Sequence, residues 1–293
     1  MTHPFELAEP GPGHPGPPQP GLPKGTADTS LEPRWPAWYG PAAFVAAILV
    51  GTTLALPISL ILEATVGAGS DSPAVNVAGT LILDLALLLC AVLLASRTMR
   101  PRPRHFGFRS TPFWPAVGWA AVGLVCFYVF AGVYQALMPE KVEQSTLDQL
   151  GAGDGPAALV GAGLLIIVVA PVVEETFFRG FFYRALRSRF GAVVSALLAG
   201  GLFGLIHFGT GWEAVPPIAV LGVAFCLVYE RTRSLYTTIA LHAVNNAVAL
   251  GVSPEGTWPV ALSILAVVLA ACVALPRFVG RSSGVPRPAP APG

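Results

Sequence analysis

The sequence predicts an all-α protein, a polytopic membrane bundle of about eight transmembrane helices. Of its 293 residues, 54% are hydrophobic and only 11% are charged, whereas a soluble domain carries about 25% charged residues. The apolar residues are grouped into stretches close to the roughly 20 residues that a spanning helix needs. Eight such stretches occur, at residues 41–62, 75–96, 113–137, 156–189, 191–208, 215–229, 235–251 and 258–276.

The positions of the basic residues support this count. Lys and Arg concentrate in the cytoplasmic loops of membrane proteins. With both termini in the cytoplasm, eight spans place every Lys and Arg except Lys141 on the cytoplasmic side. Removing any one span would destroy this alternation. We therefore expect a multi-pass cell-membrane protein with both termini in the cytoplasm, and the Ala-, Pro- and Gly-rich composition without an organellar signal indicates a bacterial one.

Two tails flank the predicted helices. Residues 1–38 are rich in Pro and Gly and residues 281–293 are similar, so neither can bury a core and both are predicted to be disordered. Between them, we assign residues 39–154 to N-terminal transmembrane helices, 155–251 to a core that carries the unusual polar residues, and 252–280 to the last transmembrane helix.

Charge, cysteine and histidine content exclude several kinds of site. The formal net charge of +1 gives no sign of a nucleic-acid partner. Of the five histidines, His3, His14 and His105 lie in a tail or a loop, where we expect them to be solvated. The cysteines lie in apolar stretches without a CxxC or Cys/His metal spacing, so we expect buried packing residues. They are Cys90, Cys126, Cys226 and Cys272.

The polar residues inside the predicted spans are the candidates for function, because such groups are costly in hydrocarbon and usually functional. Glu174 and His207 lie on either side of the turn near Phe190 and, at about 1.5 Å per residue, both are about 23 Å from it. His242 reaches the same depth if this hairpin extends about 10 Å beyond the membrane. Three helices can therefore bring ionisable groups together. The polar residues inside the predicted spans are Asp84, Glu174, Glu175, His207, His242 and Asn246.

Spacing along the helices predicts which of these side chains share a face. His242 and Asn246 are separated by four residues, as are Phe203 and His207, so each pair lies on one side of its helix. The stretches GAG at 161–163 and GGLFG at 200–204 predict close helix packing.

Two further sequence features lie close to Glu174. Glu175 and Arg179 have the spacing and order that favour an ion pair. Pro171 lacks an N–H and should kink the helix just before Glu174, which would open space for water beside its carboxylate.

Three segments at these positions resemble known motifs. EETFFRG at 174–180 fits the EExxxRG motif of the CAAX prenyl endopeptidase and bacteriocin-processing (CPBP or Abi) family, FGLIH at 203–207 fits its FxxxH motif, and HAVNN at 242–246 its HxxxN motif. The order and spacing also fit, and the resemblance covers residues from about 155 to 250. One such match would be weak evidence, but three in order on membrane helices are strong.

The resemblance implies a helical intramembrane endopeptidase, a hydrolase that acts on a CAAX-like or other membrane-associated peptide or lipidated protein within the lipid bilayer. By position in the motifs, Glu174 would be the general base for a water molecule, with help from His207, and His242 and Asn246 would stabilise the oxyanion. The implied supporting residues are Glu175, Arg179 and Phe203.

The sequence leaves the need for a metal open. A catalytic zinc ion usually has three protein ligands and a water, and Glu174, His207 and His242 offer three suitable groups, as in a metalloprotease. The sequence contains no HExxH motif. We therefore favour a metal-free or weakly metal-binding site over a zinc site.

Two functions of other classes remain open from the sequence. A non-proteolytic membrane scaffold or a bacteriocin-immunity protein could use the same fold. A proton-coupled transporter would also place Glu and His inside the membrane. Transport is disfavoured because the polar groups lie in the cytoplasmic half and no second half repeats the first.

Overall fold

The structure, a computed structural model, describes residues 35–67, 69, 72–138, 146–254 and 256–279. Most of the predicted N-terminal tail, all of the predicted C-terminal tail and Lys141 lie outside these residues. Within them the chain is helical and contains no strand, which confirms the all-α fold. The helices are α1 Tyr39–Val66, α2 Pro73–Ser96, α3 Pro103–Phe106, α4 Phe113–Leu137, α5 Thr146–Gln149, α6 Pro156–Arg187, α7 Ala192–Ile206, α8 Val215–Thr232, α9 Leu235–Val252 and α10 Trp258–Val279.

Seven of these helices are long and apolar enough to cross a membrane, judged by length and composition among the described residues. They correspond to seven of the eight predicted spans, with ends that differ by a few residues. The remaining prediction, 191–208, corresponds to α7, which has only 15 residues. At 1.5 Å per residue α7 rises about 22 Å, less than the roughly 30 Å hydrocarbon core of a bilayer. The polytopic bundle is confirmed, but its fifth member is a short helix.

Helix α6 is irregular on both sides of Glu174. Two π-helical segments interrupt it. Such segments are rare in proteins, and those that occur are often found at functional sites. Pro171 lies in the first turn after the first of them, where the sequence predicts a kink. In chain order, α6 is α-helical over Pro156–Leu164, π-helical over Leu165–Val169, α-helical over Ala170–Glu175, π-helical over Thr176–Tyr183 and α-helical over Arg184–Arg187.

Helix α6 is the centre of the bundle. It packs against α1, α2, α7, α8, α9 and α10, while α4 packs against α8 and α9. Side chains that α6 directs to different sides therefore meet several other helices, and residues from α7 and α9 can reach the same part of α6.

The predicted close packing at 200–204 is present between α7 and α8. A Cβ atom added at Gly200 would lie 2.5 Å from the backbone N of Val223, and one at Gly204 would lie 2.7 Å from the carbonyl oxygen of Val215. Neither position has room for a side chain. The GAG prediction holds for Gly163 but not for Gly161, at which a Cβ would meet nothing within 4 Å.

The prediction for His105 is wrong. Its side chain is 7% exposed, because the short helix α3 folds back onto α6. His105 Nδ1 accepts a hydrogen bond of 3.0 Å from the backbone N–H of Arg102. Burial, and then the nearby arginines beginning with Arg104, lower the pKa of His105 from its usual value, which keeps this nitrogen available as an acceptor.

The cysteine prediction is only partly correct. Cys90 and Cys226 are buried, Cys272 is partly exposed and Cys126 is exposed on α4. In a helix of membrane-spanning length an apolar stretch has a lipid-facing side as well as a packed one, so an apolar neighbourhood alone does not predict burial inside the protein.

The α7–α8 contact predicts different effects for two neighbouring glycines. We expect Gly200→Ala to lower the melting temperature of the detergent-purified protein, because its Cβ would force the helices apart. Gly201→Ala is the matched control, because a Cβ there would meet nothing within 4 Å; it should be neutral or slightly stabilising, since Ala favours a helix over Gly by about 1 kcal/mol. Equal melting temperatures for the two variants would contradict the close contact.

The membrane orientation that the basic residues predict can be tested by reporter fusions. Fusions after Arg104 and Arg233 should report the cytoplasm, and fusions after Leu150 and Glu213 should report the outside. A cytoplasmic signal at Leu150 would contradict the orientation as a whole, whereas one at Glu213 alone would mean that the short helix α7 does not cross the membrane.

Candidate active site

A fully buried ion pair lies on α6. Arg179 Nη1 donates to Glu175 Oε1 at 2.8 Å, and both side chains are 0% exposed. The predicted ion pair is therefore present. Arg179 Nη2 also donates to the carbonyl oxygen of Gly222 at 3.0 Å, which joins α6 to α8.

Aromatic rings surround the Arg179 guanidinium. Its Cζ atom lies 4.5 Å from the ring centroid of Phe203 on α7 and 4.9 Å from that of Phe225 on α8. Guanidinium groups are attracted to the faces of aromatic rings at such distances. Arg179 thus connects α6 to both α7 and α8, through the rings of Phe203 and Phe225.

His242 on α9 contacts the two adjacent glutamates of α6. Its Nδ1 lies 3.0 Å from Glu175 Oε1, and its Nε2 lies 3.9 Å from Glu174 Oε2. Since an ionised carboxylate only accepts hydrogen bonds, Nδ1 carries the proton that joins His242 to Glu175. In the neutral ring this leaves the Nε2 lone pair directed towards Glu174.

The Glu174 carboxylate has an uncommitted oxygen. Oε2 is buried and has no hydrogen-bond partner among the described residues, and 3.9 Å to His242 Nε2 is too long for a hydrogen bond. A water molecule bound to both atoms would be held by an acceptor on each side. The structure therefore places Glu174 and His242 together, as the sequence predicts.

Among the described contacts, His207 is connected to Glu174 and His242 only through the ring of Phe203. It follows the last residue of α7, and its Nδ1 donates to the carbonyl oxygen of Phe203 at 2.8 Å. The Phe203 centroid lies 4.9 Å from that of His207 and 5.9 Å from that of His242. Both histidines pack against Phe203, and no described contact joins His207 to Glu174.

Asn246 lies one helical turn beyond His242 and bonds to the backbone of α6. Its Nδ2 donates to the carbonyl oxygen of Ile166 at 2.7 Å, and its Oδ1 accepts from Asn245 Nδ2 at 3.3 Å. One N–H of the Asn246 amide is therefore engaged inside the protein, and the second is left for another acceptor.

Asp84 on α2 is a further acid beside the site. Its side chain is 6% exposed, and Oδ2 has no hydrogen-bond partner among the described residues. It lies close enough to Glu174 for the two carboxylate charges to repel each other. The sequence marks Asp84 as an intramembrane acid but does not join it to the site, because no motif contains it; a lone acid in an apolar helix is the only signal.

Metal-ligating side chains are not grouped in the described part of the chain. Over the described part of the chain, no group of three or more His, Cys, Asp or Glu side chains is arranged to hold a metal ion. Glu174, His207 and His242, which the sequence offers as zinc ligands, form no such group. The arrangement instead offers a carboxylate, an imidazole and an amide donor.

The buried ion pair predicts a large cost for Arg179→Ala. Removing one partner of a buried pair costs roughly 3–5 kcal/mol, because the other charge stays buried and unpaired. The matched control is Arg187→Ala, since Arg187 pairs with Glu230 but is 30% exposed, and exposed pairs contribute about 0–1 kcal/mol. Thermal unfolding in detergent should separate the two variants clearly; equal stabilities would contradict a structural role for the Glu175–Arg179 pair.

Comparisons with known proteins give one family match and two curated relatives. Residues 156–248 match the family described as type II CAAX prenyl endopeptidase Rce1-like. Over 96 residues the chain is 30% identical to "Uncharacterized protein YyaK" of Bacillus subtilis (strain 168), which covers 30% of this chain and 32% of YyaK. Over 177 residues it is 23% identical to "Putative membrane peptidase YdiL" of the same organism, which covers 56% of this chain and 67% of YdiL.

No solved structure matches the chain. The match to YyaK spans about a third of that relative's length, and the family match covers residues 156–248. That segment contains α6, α7, α8 and most of α9, together with Glu174, His207, His242 and Asn246. Over residues 156–248 the chain is therefore similar to the Rce1-like type II CAAX prenyl endopeptidase family.

Proposed function

We propose that this protein is an intramembrane endopeptidase that hydrolyses peptide bonds of membrane-associated substrates with a water molecule activated by Glu174. The observation that carries the proposal is the position of Glu174 Oε2, which is buried, has no described partner and faces His242 Nε2 at 3.9 Å. The family match over residues 156–248 supports the same reaction class.

Water activation follows from the two facing acceptors. Glu174 Oε2 accepts the proton that the water loses as its oxygen attacks the carbonyl carbon of the scissile bond. Glu174 then returns this proton to the leaving amide nitrogen, so that the products are a carboxylic acid and an amine. His207 directs its Nδ1 proton to Phe203, which leaves Nε2 as an acceptor for the second O–H of this water when His242 Nε2 is protonated and no longer accepts.

The oxyanion needs hydrogen-bond donors that are in position before it forms. The second N–H of Asn246 is one such donor. His242 acts as another only when Nε2 is also protonated, because its Nδ1 proton is directed to Glu175. The Glu175 carboxylate holds the Nδ1 side of the His242 ring, and its Oε1 also accepts from Arg179 at 2.8 Å.

The surroundings favour a substrate from the lipid bilayer. Glu174 and His242 lie on helices of membrane-spanning length, where little water competes for their hydrogen bonds and electrostatic interactions are strong. We propose a peptide or lipidated protein of the CAAX-like kind as the substrate class. An Rce1-like core on a multi-pass chain is suited to such substrates.

The test of this function is Glu174→Gln. The variant keeps the shape of the side chain but cannot accept the water proton, so cleavage of a peptide library should vanish while substrate binding survives. Purified protein, assayed by mass spectrometry for products and by a binding measurement, separates these effects. Undiminished cleavage would contradict the assignment, and a correctly folded wild-type protein that cleaves nothing would favour the scaffold or immunity alternative.

The other residues should give graded losses. Asn246→Ala should retain a residual rate, since the loss of one oxyanion donor lowers turnover roughly 10²–10³-fold. His207→Ala should resemble Glu174→Gln, because it serves the same water. A chelator should leave the rate unchanged, and inhibition that zinc reverses would show that a metal site forms in the active protein.

A further inference from the structure

The carbonyl oxygen of Ile166 has lost both of its usual donors within α6. In an α-helix it would accept from the N–H of Ala170, and in a π-helix from that of residue 171. The N–H of Ala170 instead donates to the carbonyl oxygen of Leu165, in the π-helical pattern. Residue 171 is a proline and has no N–H.

Asn246 supplies the missing donor from another helix. Its Nδ2 lies 2.7 Å from the carbonyl oxygen of Ile166, a short hydrogen bond by the usual criteria. Asn245 Nδ2 donates to Asn246 Oδ1 at 3.3 Å, which fixes the edge of the amide that faces Ile166. In a region without bulk water, an unpaired backbone carbonyl costs several kcal/mol, so this bond satisfies a real need.

The hydrogen bond from Asn246 to Ile166 lies in the π segment that determines how the following turn of α6 is rotated about the helix axis. Successive residues of a helix are about 100° apart around the axis, and a π-helical turn holds an extra residue compared with an α-helical one. If the first π segment reverted to the α form, the turn with Glu174 and Glu175 would rotate by about one residue. Glu175 and Arg179 would rotate together, and Glu175 would then no longer face His242 as it does at 3.0 Å.

We propose that Asn246 is a positioning residue whose side-chain N–H replaces the backbone N–H that Pro171 lacks, and that this bond holds α6 in the register that directs Glu174 and Glu175 at His242. Pro171 and Asn246 are thus coupled, because the donor that the proline lacks is supplied by the asparagine. The effect on turnover depends on the proposed peptidase function, whereas the effect on stability does not.

A double-mutant cycle tests the proposal. Four proteins are compared by thermal unfolding in detergent: wild type, Asn246→Ala, Pro171→Ala and the double variant. Pro171→Ala restores an N–H that can donate to Ile166. We expect Asn246→Ala to lower the melting temperature strongly in the wild-type background and much less in the Pro171→Ala background. Equal decreases in both backgrounds would overturn the proposal.

The rate of peptide cleavage in the same four proteins separates positioning from oxyanion binding. If Asn246 acted only on the oxyanion, its loss would lower kcat by the same factor in both backgrounds. We expect the loss to be about tenfold smaller in the Pro171→Ala background, an effect of about 1.4 kcal/mol, because the register no longer depends on the side chain. If none of the four cleaves any peptide, the proposed function fails while the melting temperatures still decide this inference.

A second variant covers the case in which Pro171→Ala does not fold. Asn246→Asp keeps the size of the side chain and, when ionised, directs a carboxylate oxygen at the Ile166 carbonyl, so two acceptors would face each other; unfolding is therefore measured at alkaline pH, where the carboxyl cannot donate an O–H. This variant should be less stable than Asn246→Ala, with Asn245→Ala as the control for loss of the neighbouring amide. Wild-type stability of Asn246→Asp would overturn the proposal.

Discussion

The rest of the site depends on one buried charge, the Arg179 guanidinium. A charge with 0% exposure in an apolar bundle persists only if it is paired and hydrogen-bonded. Arg179 meets this requirement with three neighbouring elements: Glu175 on its own helix, the Gly222 carbonyl on α8 and the ring of Phe203 on α7. Glu175 also contacts His242 on α9. The contacts of Arg179 and its partner Glu175 therefore join the four helices α6, α7, α8 and α9.

The two adjacent glutamates have different contacts because they point in different directions. Glu175 is engaged by Arg179 and His242 and is suited to a structural role. Glu174 faces His242 Nε2 without a hydrogen bond and keeps an oxygen available for chemistry. Their placement on α6 between two π-helical segments means that backbone irregularity, and not only residue type, separates the engaged acid from the acid that we propose to react.

The sequence was sufficient for what a single helix determines and insufficient for what lies between helices. Hydropathy located the helices because a spanning length is imposed by the bilayer, but it could not show that α7 stops at 15 residues. The four-residue spacing identified the Glu175–Arg179 pair, since both residues are on one helix. The contacts of His242 with Glu175 and of Asn246 with Ile166 were not predictable, because they depend on how helices rotate against each other and on a π segment that hydropathy does not register.

The carboxylate oxygens around His242 give a reason to expect water at this place. Glu174 Oε2, Glu175 Oε2 and Asp84 Oδ2 are buried acceptors without a donor among the described residues. Buried polar groups in proteins are nearly always hydrogen-bonded, and buried water is the usual donor where side chains do not suffice. A group of acceptors that recruits water into an apolar bundle also brings in the reactant that hydrolysis consumes. The feature that is costly for folding is therefore the one that a hydrolase within a membrane requires.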